Sequence, residues 1–347
     1  MATIRDLPLE MIQAIIGFIC PRCNQRSRRS MRAVHTLVDL CRTSKLLNQV
    51  ATPHLYHRPP LHKWPLLART LIARPDLAGH AKQLLVPWET PVGAYDWVTE
   101  TWPTSGFPHE VVAYRDALVQ QLNLDAQQDY MSILASLCPN LEKLEIEDDL
   151  SFTGPHIPFC RPKSLQRLKK VKLMSSRNEW LGGGHGGGFK HIVPLLNAAP
   201  NIQRLTVPKL TDCTGLDGLT VASLTHLDIV ESALPAQDFA ALLAACPNLE
   251  ILEYECGFAS WMSTGYNVGE YDDARSQQFT PVQVRDAILE HAKNLQCFRF
   301  NIKLLYEDEE PKAWQQEGMF ELLREAMESR GIEYEFLEGW ETGYRYD

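Results

Sequence analysis

The chain has 347 residues, 45% of them hydrophobic and 22% charged, with a net charge of −9 at pH 7; that balance supports a sizeable buried core and excludes collagen-like and intrinsically disordered classes. The charge is unevenly placed, with nine Lys/Arg against three Asp/Glu in residues 1 to 58 and 25 against 40 in the remainder, which marks two segments with different partners. The acidic body excludes general binding to nucleic acid.

The first predicted element is a helix. Asp6 is a good N-cap residue, Pro8 suits a first turn and Glu10 lies near the positive end of the helix dipole. Met11, Ile12, Ile15, Ile16 and Ile19 recur at three- and four-residue spacing and form an apolar face, which Pro21 ends. The apolar stretch from Met11 to Cys20 is too short to span a bilayer, and acidic residues stand where a signal peptide carries positive charge, so no membrane partner is expected. After a basic stretch, a second periodic run places Leu37, Leu40, Cys41, Leu47 and Val50 on overlapping helical faces and is expected to end before Pro53. A few short helices of this size are marginal alone, because a small domain buries a low fraction of its surface, so a docking partner is expected to supply the missing burial.

These residues carry a resemblance. Leu7-Pro8-x-Glu10 with its isoleucine-rich helix, then Leu40-Cys41-Arg42-Thr43 and the run Ser44-Lys45-x-x-Asn48-x-x-Ala51-x-Pro53-x-Leu55-Tyr56, resembles an F-box of the fungal type. The segment from Cys20 to Thr36 departs from the family in being longer and more basic than its usual inter-helix connection. The resemblance implies that Leu7, Pro8, Ile12, Ile15, Ile16, Leu40 and Val50 pack against a Skp-type adaptor, with Glu10 at the rim, and that a cullin complex is reached through that adaptor. The rival account makes these helices the N-terminal cap of a repeat array.

Beyond residue 60 a unit of helix, break and strand recurs. Ile133 to Asn140 leads into Leu141-Glu142-Lys143-Leu144-Glu145-Ile146, and Leu242 to Asn248 leads into Leu249-Glu250-Ile251-Leu252-Glu253-Tyr254. Looser copies pair Ile202 with Leu205 and Val207, Leu295 with Phe298 and Phe300, Leu168 with Val171 and Leu173, and Leu224 with Leu227 and Ile229; Ala81 with Leu84 and Val86 starts the series. The helices of the two clearest copies end before a proline, which disfavours helical backbone, and apolar residues at the first, fourth and sixth positions of each strand segment face inward. One unit cannot bury that face, so neighbours must stack into a parallel sheet with helices on its other side. Steps of 60, 27, 34, 22, 25 and 46 residues between units look like an irregular leucine-rich repeat, whose units run ~20 to 29 residues. The long steps hold insertions near 87–108 and 257–279. Met319 to Ser329 reads as a final helix and Ile332 to Phe336 as a final strand.

Other motifs carry less. Cys20-Pro21-Arg22-Cys23 is half of a zinc knuckle; His35, His54 and His57 could complete it, but no second cysteine pair is found nearby and zinc takes four ligands, so no metal and no cofactor are expected. The nine cysteines, an odd number set mostly in apolar patterns, read as buried thiols of a reducing compartment, cytoplasmic or nuclear. The arginines from Arg22 to Arg32 read as a solvated basic loop, Gly182 to Gly188 as a connection lacking the lysine of a phosphate-binding loop, and Glu307 to Glu310 as a solvated acidic loop. No nucleophile elbow or zinc-protease signature is present, so no catalytic residue is expected.

The sequence therefore predicts an α/β chain: a helical adaptor-docking domain over 1–58, then an irregular leucine-rich-repeat solenoid over 59–347. Between the inward positions, Glu145, Lys172, Thr206, Asp228, Glu253 and Arg299 point outward, with mixed charge suited to recognising a protein target. By the resemblance, the chain is expected to be the substrate-recognition subunit of an SCF-type ubiquitin ligase, non-catalytic itself. The alternatives are a non-ligase interaction scaffold of the same repeats and, ranked lowest, an enzyme using the aromatic insertions as a lid.

Overall fold

A computed structural model describes residues 7–20, 31–59, 64–86, 109–122, 130–148, 163–175, 187–189, 192–208, 210–216, 218–232, 234–256, 280–302 and 318–338. The chain divides into two compact units, one of residues 1–145 with 164–168, the other of 146–163 with 169–347.

The first unit holds helices α1 (Leu9–Ile19), α2 (Met31–Thr43), α3 (Lys45–His57), α4 (Trp64–Ala73), α5 (Pro75–Ala78), α6 (His109–Leu122) and α7 (Tyr130–Leu137), with strand β1 (Gln83–Val86) and the start of β2 (Lys143–Asp148). Pro8 occupies the N-cap position of α1 in extended backbone, and its carbonyl accepts from the Met11 and Ile12 amides. At the α2–α3 corner the Ser44 side chain accepts from the Leu47 amide at 3.2 Å, while Asn48 Nδ2 donates to the Cys41 carbonyl at 2.9 Å. A cap of this kind contributes about 1 kcal/mol. Ile12, Ile16, Leu37, Leu47, Val50 and Ala51 form the core of the three helices, with Leu7, Ile19, Leu40, Cys41 and Leu55 packed around it.

Pro53 does not end the second run: α3 continues through it to His57. A proline inside a helix lacks the amide for one backbone hydrogen bond and crowds the preceding turn, at a cost of roughly 3 kcal/mol. Burial of Val50 and Ala51 before it and packing of Leu55 after it, all against the same core, offsets that loss. The unit also extends past the predicted module end at residue 58, through α4 to α7.

The second unit carries β3 (Lys170–Ser175), β4 (Gly187–Gly188), α8 (Val193–Ala198), β5 (Arg204–Pro208), β6 (Leu210–Asp212), β7 (His226–Ser232), α9 (Ala236–Ala245), β8 (Ile251–Cys256), α10 (Pro281–His291), β9 (Cys297–Ile302), α11 (Met319–Ser329) and β10 (Glu333–Glu338). Eight described strands follow one another in one open sheet, in the order β1, β2, β3, β5, β7, β8, β9, β10, while β4 pairs with β6. The registers recorded from β3 to β10 are all parallel. The fold is thus α/β, with helices of the described chain alternating with strands of a parallel sheet.

Strands β5, β7, β8 and β9 enter the sheet in the same way. The Lys169 carbonyl accepts from the Gln203 and Arg204 amides, the Gln203 carbonyl from Thr225 and His226, the Thr225 carbonyl from Glu250 and Ile251, and the Glu250 carbonyl from Gln296 and Cys297. Side chains brace the same turns, since Asn248 Nδ2 donates to the Ala222 carbonyl at 2.8 Å and Asn294 Nδ2 to the Pro247 carbonyl at 3.0 Å. The expected inward positions line up across the strands, Val171, Leu205, Leu227, Leu252 and Phe298 in one row and Val207, Ile229, Tyr254 and Phe300 in the next, and Tyr334 and Phe336 of β10 extend the two rows. The helices cover this side, with Phe239 of α9 edge-on to Tyr254 and Phe320 of α11 against Phe300 and Phe336. Each fully buried leucine or phenylalanine here contributes about 1.5–3 kcal/mol by leaving water.

One polar group enters this core with its needs met. Tyr254 Oη donates to the Ser232 carbonyl at 3.1 Å and accepts from the Leu234 amide at 3.2 Å. The predicted final helix falls on α11 and the final strand on β10. Burial pushes the Cys138 and Cys246 thiols up to about 12 and Cys213 higher still, so all three are protonated and inert at neutral pH. The insertions near 87–108 and 257–279, the loop Glu307 to Glu310, Gly182 to Gly186 and residues 22–30 lie outside the described residues. No helix among those described is long and apolar enough to cross a membrane.

Candidate docking helix, recognition face and thiol–imidazole cluster

Helix α1 is apolar on two sides. Its inner side sends Ile12 and Ile16 into the core, at 1% and 2% exposure. Its outer side leaves Met11 at 51%, Ile15 at 42% and Phe18 at 75% exposure, at four- and three-residue spacing that aligns them in one stripe, with Leu9 exposed at the helix start. Pro8 and Glu10 are exposed beside them, and Leu46 is exposed at the start of α3.

The residues that the resemblance assigns to an adaptor are therefore split. Pro8, Glu10 and Ile15 lie on the outside, Leu7 and Leu40 are half-buried, and Ile12, Ile16 and Val50 face the chain's own core. Contact with a partner by those last three is corrected on steric grounds, since each is already enclosed by α1, α2 and α3. Leu9 and Phe18 are the exposed apolar residues that sequence reasoning missed, and Met11, placed on the apolar face, was not assigned to the outside. The signal was present in the spacing of Met11, Ile15 and Phe18, but the isoleucines of the other face overshadowed it.

On the sheet side opposite the helices, Lys172, Thr206, Asp228, Glu253, Arg299 and Glu335 are successive cross-strand partners, so five of the six residues expected to point outward share one row. The sixth, Glu145 on β2, accepts from Gln83 Nε2 at 3.2 Å and pairs with Lys143 Nζ at 2.6 Å. The row has largely paired its own charges. Asp228 Oδ2 accepts from Thr206 Oγ1 at 2.8 Å and from Arg204 Nε and Nη2 at 3.1 and 2.9 Å. Arg299 bridges two strands, donating from Nη1 to Glu253 at 2.6 Å and from Nε to Glu335 at 3.1 Å, and the hydrogen bond to Glu253 raises its pKa. Thr206 and Asp228 are only 7% exposed. Such a face offers fixed hydrogen-bond directions more than a net field. Asp228 Oδ1 and Asn301 Oδ1, both buried, have no hydrogen-bond partner among the described residues.

Cys20, just past α1, meets the last turn of α3. Its Sγ lies 3.6 Å from His57 Nδ1, the His54 and His57 ring centroids are 4.9 Å apart, and the three side chains each bring a ligand atom within 4.8 Å of the others. Burial holds the His54 imidazole below its ordinary pKa. His35, also considered from sequence, sits on an exposed position of α2, and Cys23 lies outside the described residues.

No protein-family model matches the chain. No curated protein matches it.

Proposed function

We propose that the chain is an F-box-like substrate-recognition subunit of an SCF-type ubiquitin ligase: α1 to α3 dock a Skp-type adaptor, and the stacked units form a leucine-rich-repeat-type solenoid that holds a protein target. The observation that carries this reading is the outer stripe of α1. Helix α1 has a second apolar side that its own core does not use, and on it Met11, Ile15 and Phe18 keep a contiguous apolar stripe largely open to solvent on the folded chain. Adjacent exposed apolar groups mark interaction sites more often than scattered ones.

The repeating entry turns and the aligned inward rows support the solenoid part of the reading, and the fixed polar row supports a target-binding face. In this account the chain does no bond chemistry. It raises the local concentration of a target beside a ubiquitin-conjugating enzyme, which turns a rare encounter into an effectively intramolecular one. Its place of work is the cytoplasm or nucleus, and nucleic acid and membrane are not its partners.

Reconstitution tests the proposal. The full chain with a Skp-type adaptor, a cullin complex and charged conjugating enzyme is expected to transfer ubiquitin to a protein retained on it from cell extract, and to do so only with the adaptor present. A chain that binds targets equally well but never engages the adaptor is a scaffold, and the ligase reading fails.

A further inference from the structure

Cys20, His54 and His57 take no part in the outer stripe of α1 or in the polar row, yet two helices bring them together. Cys20 is the C-cap residue of α1; its amide donates to the Ile16 carbonyl at 3.0 Å, which fixes its backbone, and its side chain is fully buried. His54 and His57 are three residues apart near the end of α3, a spacing that puts both rings on one side of the helix. Gly17 stands nearly one turn before Cys20, and a β-carbon placed there would lie 3.7 Å from His54 Cε1, so the ring rests against a glycine.

We propose that Cys20, His54 and His57 are three ligands of a site for a borderline divalent cation of the zinc class. One thiolate and two imidazoles form a donor set such ions accept, whereas calcium and magnesium require oxygen ligands. One of the three ligand–ligand distances agrees with this assignment. In a tetrahedral site with metal–sulfur and metal–nitrogen bonds of about 2.3 and 2.0–2.1 Å, sulfur and nitrogen lie about 3.6 Å apart. Cys20 Sγ and His57 Nδ1 are 3.6 Å apart. A competing account, in which the Cys20 thiol donates to the His54 carbonyl at 3.7 Å and lies against His57 Nδ1 at 3.6 Å with no ion bound, is separated from this one by metal titration.

On binding, the Cys20 thiol proton leaves to solvent and the metal takes its place on sulfur. The ion ties the end of α1 to the last turn of α3, and so holds in place the helix that carries Met11, Ile15 and Phe18. The site stands on its own geometry, whatever covers that stripe.

The test is titration of the full chain, first stripped with a chelator, with Co2+ and then Zn2+. The expected result is one equivalent of Co2+, a near-ultraviolet thiolate-to-cobalt charge-transfer band with the intense visible bands of a tetrahedral site, displacement of both by Zn2+, and no displacement by excess Mg2+. Cys20→Ser removes the charge-transfer band, His54→Gln and His57→Gln each weaken binding about tenfold or more, and His35→Ala changes nothing. Absence of the charge-transfer band in the unsubstituted chain overturns the proposal regardless of how any variant folds. So does its persistence in Cys20→Ser, or full affinity in both histidine variants.

Discussion

Replacing Met11, Ile15 and Phe18 together by glutamine is expected to abolish capture of a Skp-type adaptor while leaving the thermal unfolding of the chain nearly unchanged. The three side chains are 51%, 42% and 75% exposed, so the fold gains little from them. Glutamine also keeps the helix propensity of the positions it takes. In an interface the balance reverses: central apolar anchors cost roughly 2 kcal/mol or more each on truncation, non-additively, so losing three weakens binding by at least about a hundredfold. The inner face of the same helix behaves oppositely. Ile16→Ala empties a core position, and substitutions of that kind cost about 2–5 kcal/mol of stability. Binding isotherms and melting curves for the two variants separate the faces, and adaptor capture undiminished in the triple variant contradicts the docking assignment.

Phe300→Ala is expected to be the most damaging single change in the sheet. Phe300 is fully buried, and its ring centroid lies 5.9 Å from those of Tyr254 and Phe298, 6.1 Å from that of Phe336 and 6.2 Å from that of Phe320. One side chain thus fills the space shared by β8, β9, β10 and α11. Large-to-small changes at such sites cost about 3–5 kcal/mol, a large share of the roughly 5–15 kcal/mol that holds a typical domain together. Stacked units depend on their neighbours, so amide exchange in β9, α11 and β10 should accelerate before that in β5. Tyr254→Phe provides the milder comparison. It leaves the Leu234 amide and Ser232 carbonyl without their partner and should cost about 1–3 kcal/mol. A Phe300→Ala chain that unfolds at the same denaturant concentration as the parent contradicts this packing.

The sheet was the most legible part of the sequence, because its signal is repeated. Leu205, Leu227, Leu252 and Phe298 each stand three residues after another buried apolar residue, and the parallel register that aligns them comes from stacking like on like. The first unit was less legible for two physical reasons. Pro53 reads locally as a helix end, and only the packing of residues on both sides of it keeps α3 intact to His57. That same continuation gives His54 and His57 a helical spacing and brings them to Cys20, so the sequence could name these residues as candidate ligands but a helix ended at Pro53 could not place them together. Helix α1 was misleading in another way: periodicity identifies apolar positions but cannot say which of two apolar sides meets the chain's own core. On the sheet, alternation identified the outward row, but the pairing of Arg299 with Glu253 and Glu335 depends on strands 46 and 36 residues away in sequence.

Oxidative footprinting of Met11 and Phe18, with and without a purified Skp-type adaptor, tests the docking claim most directly. If the outer side of α1 is the contact, both side chains lose their reactivity when adaptor is added, while buried Ile12 and Ile16 remain silent in both states. Unaltered labelling of Met11 and Phe18 at saturating adaptor would mean that the stripe faces something else, and the account would be wrong at its centre.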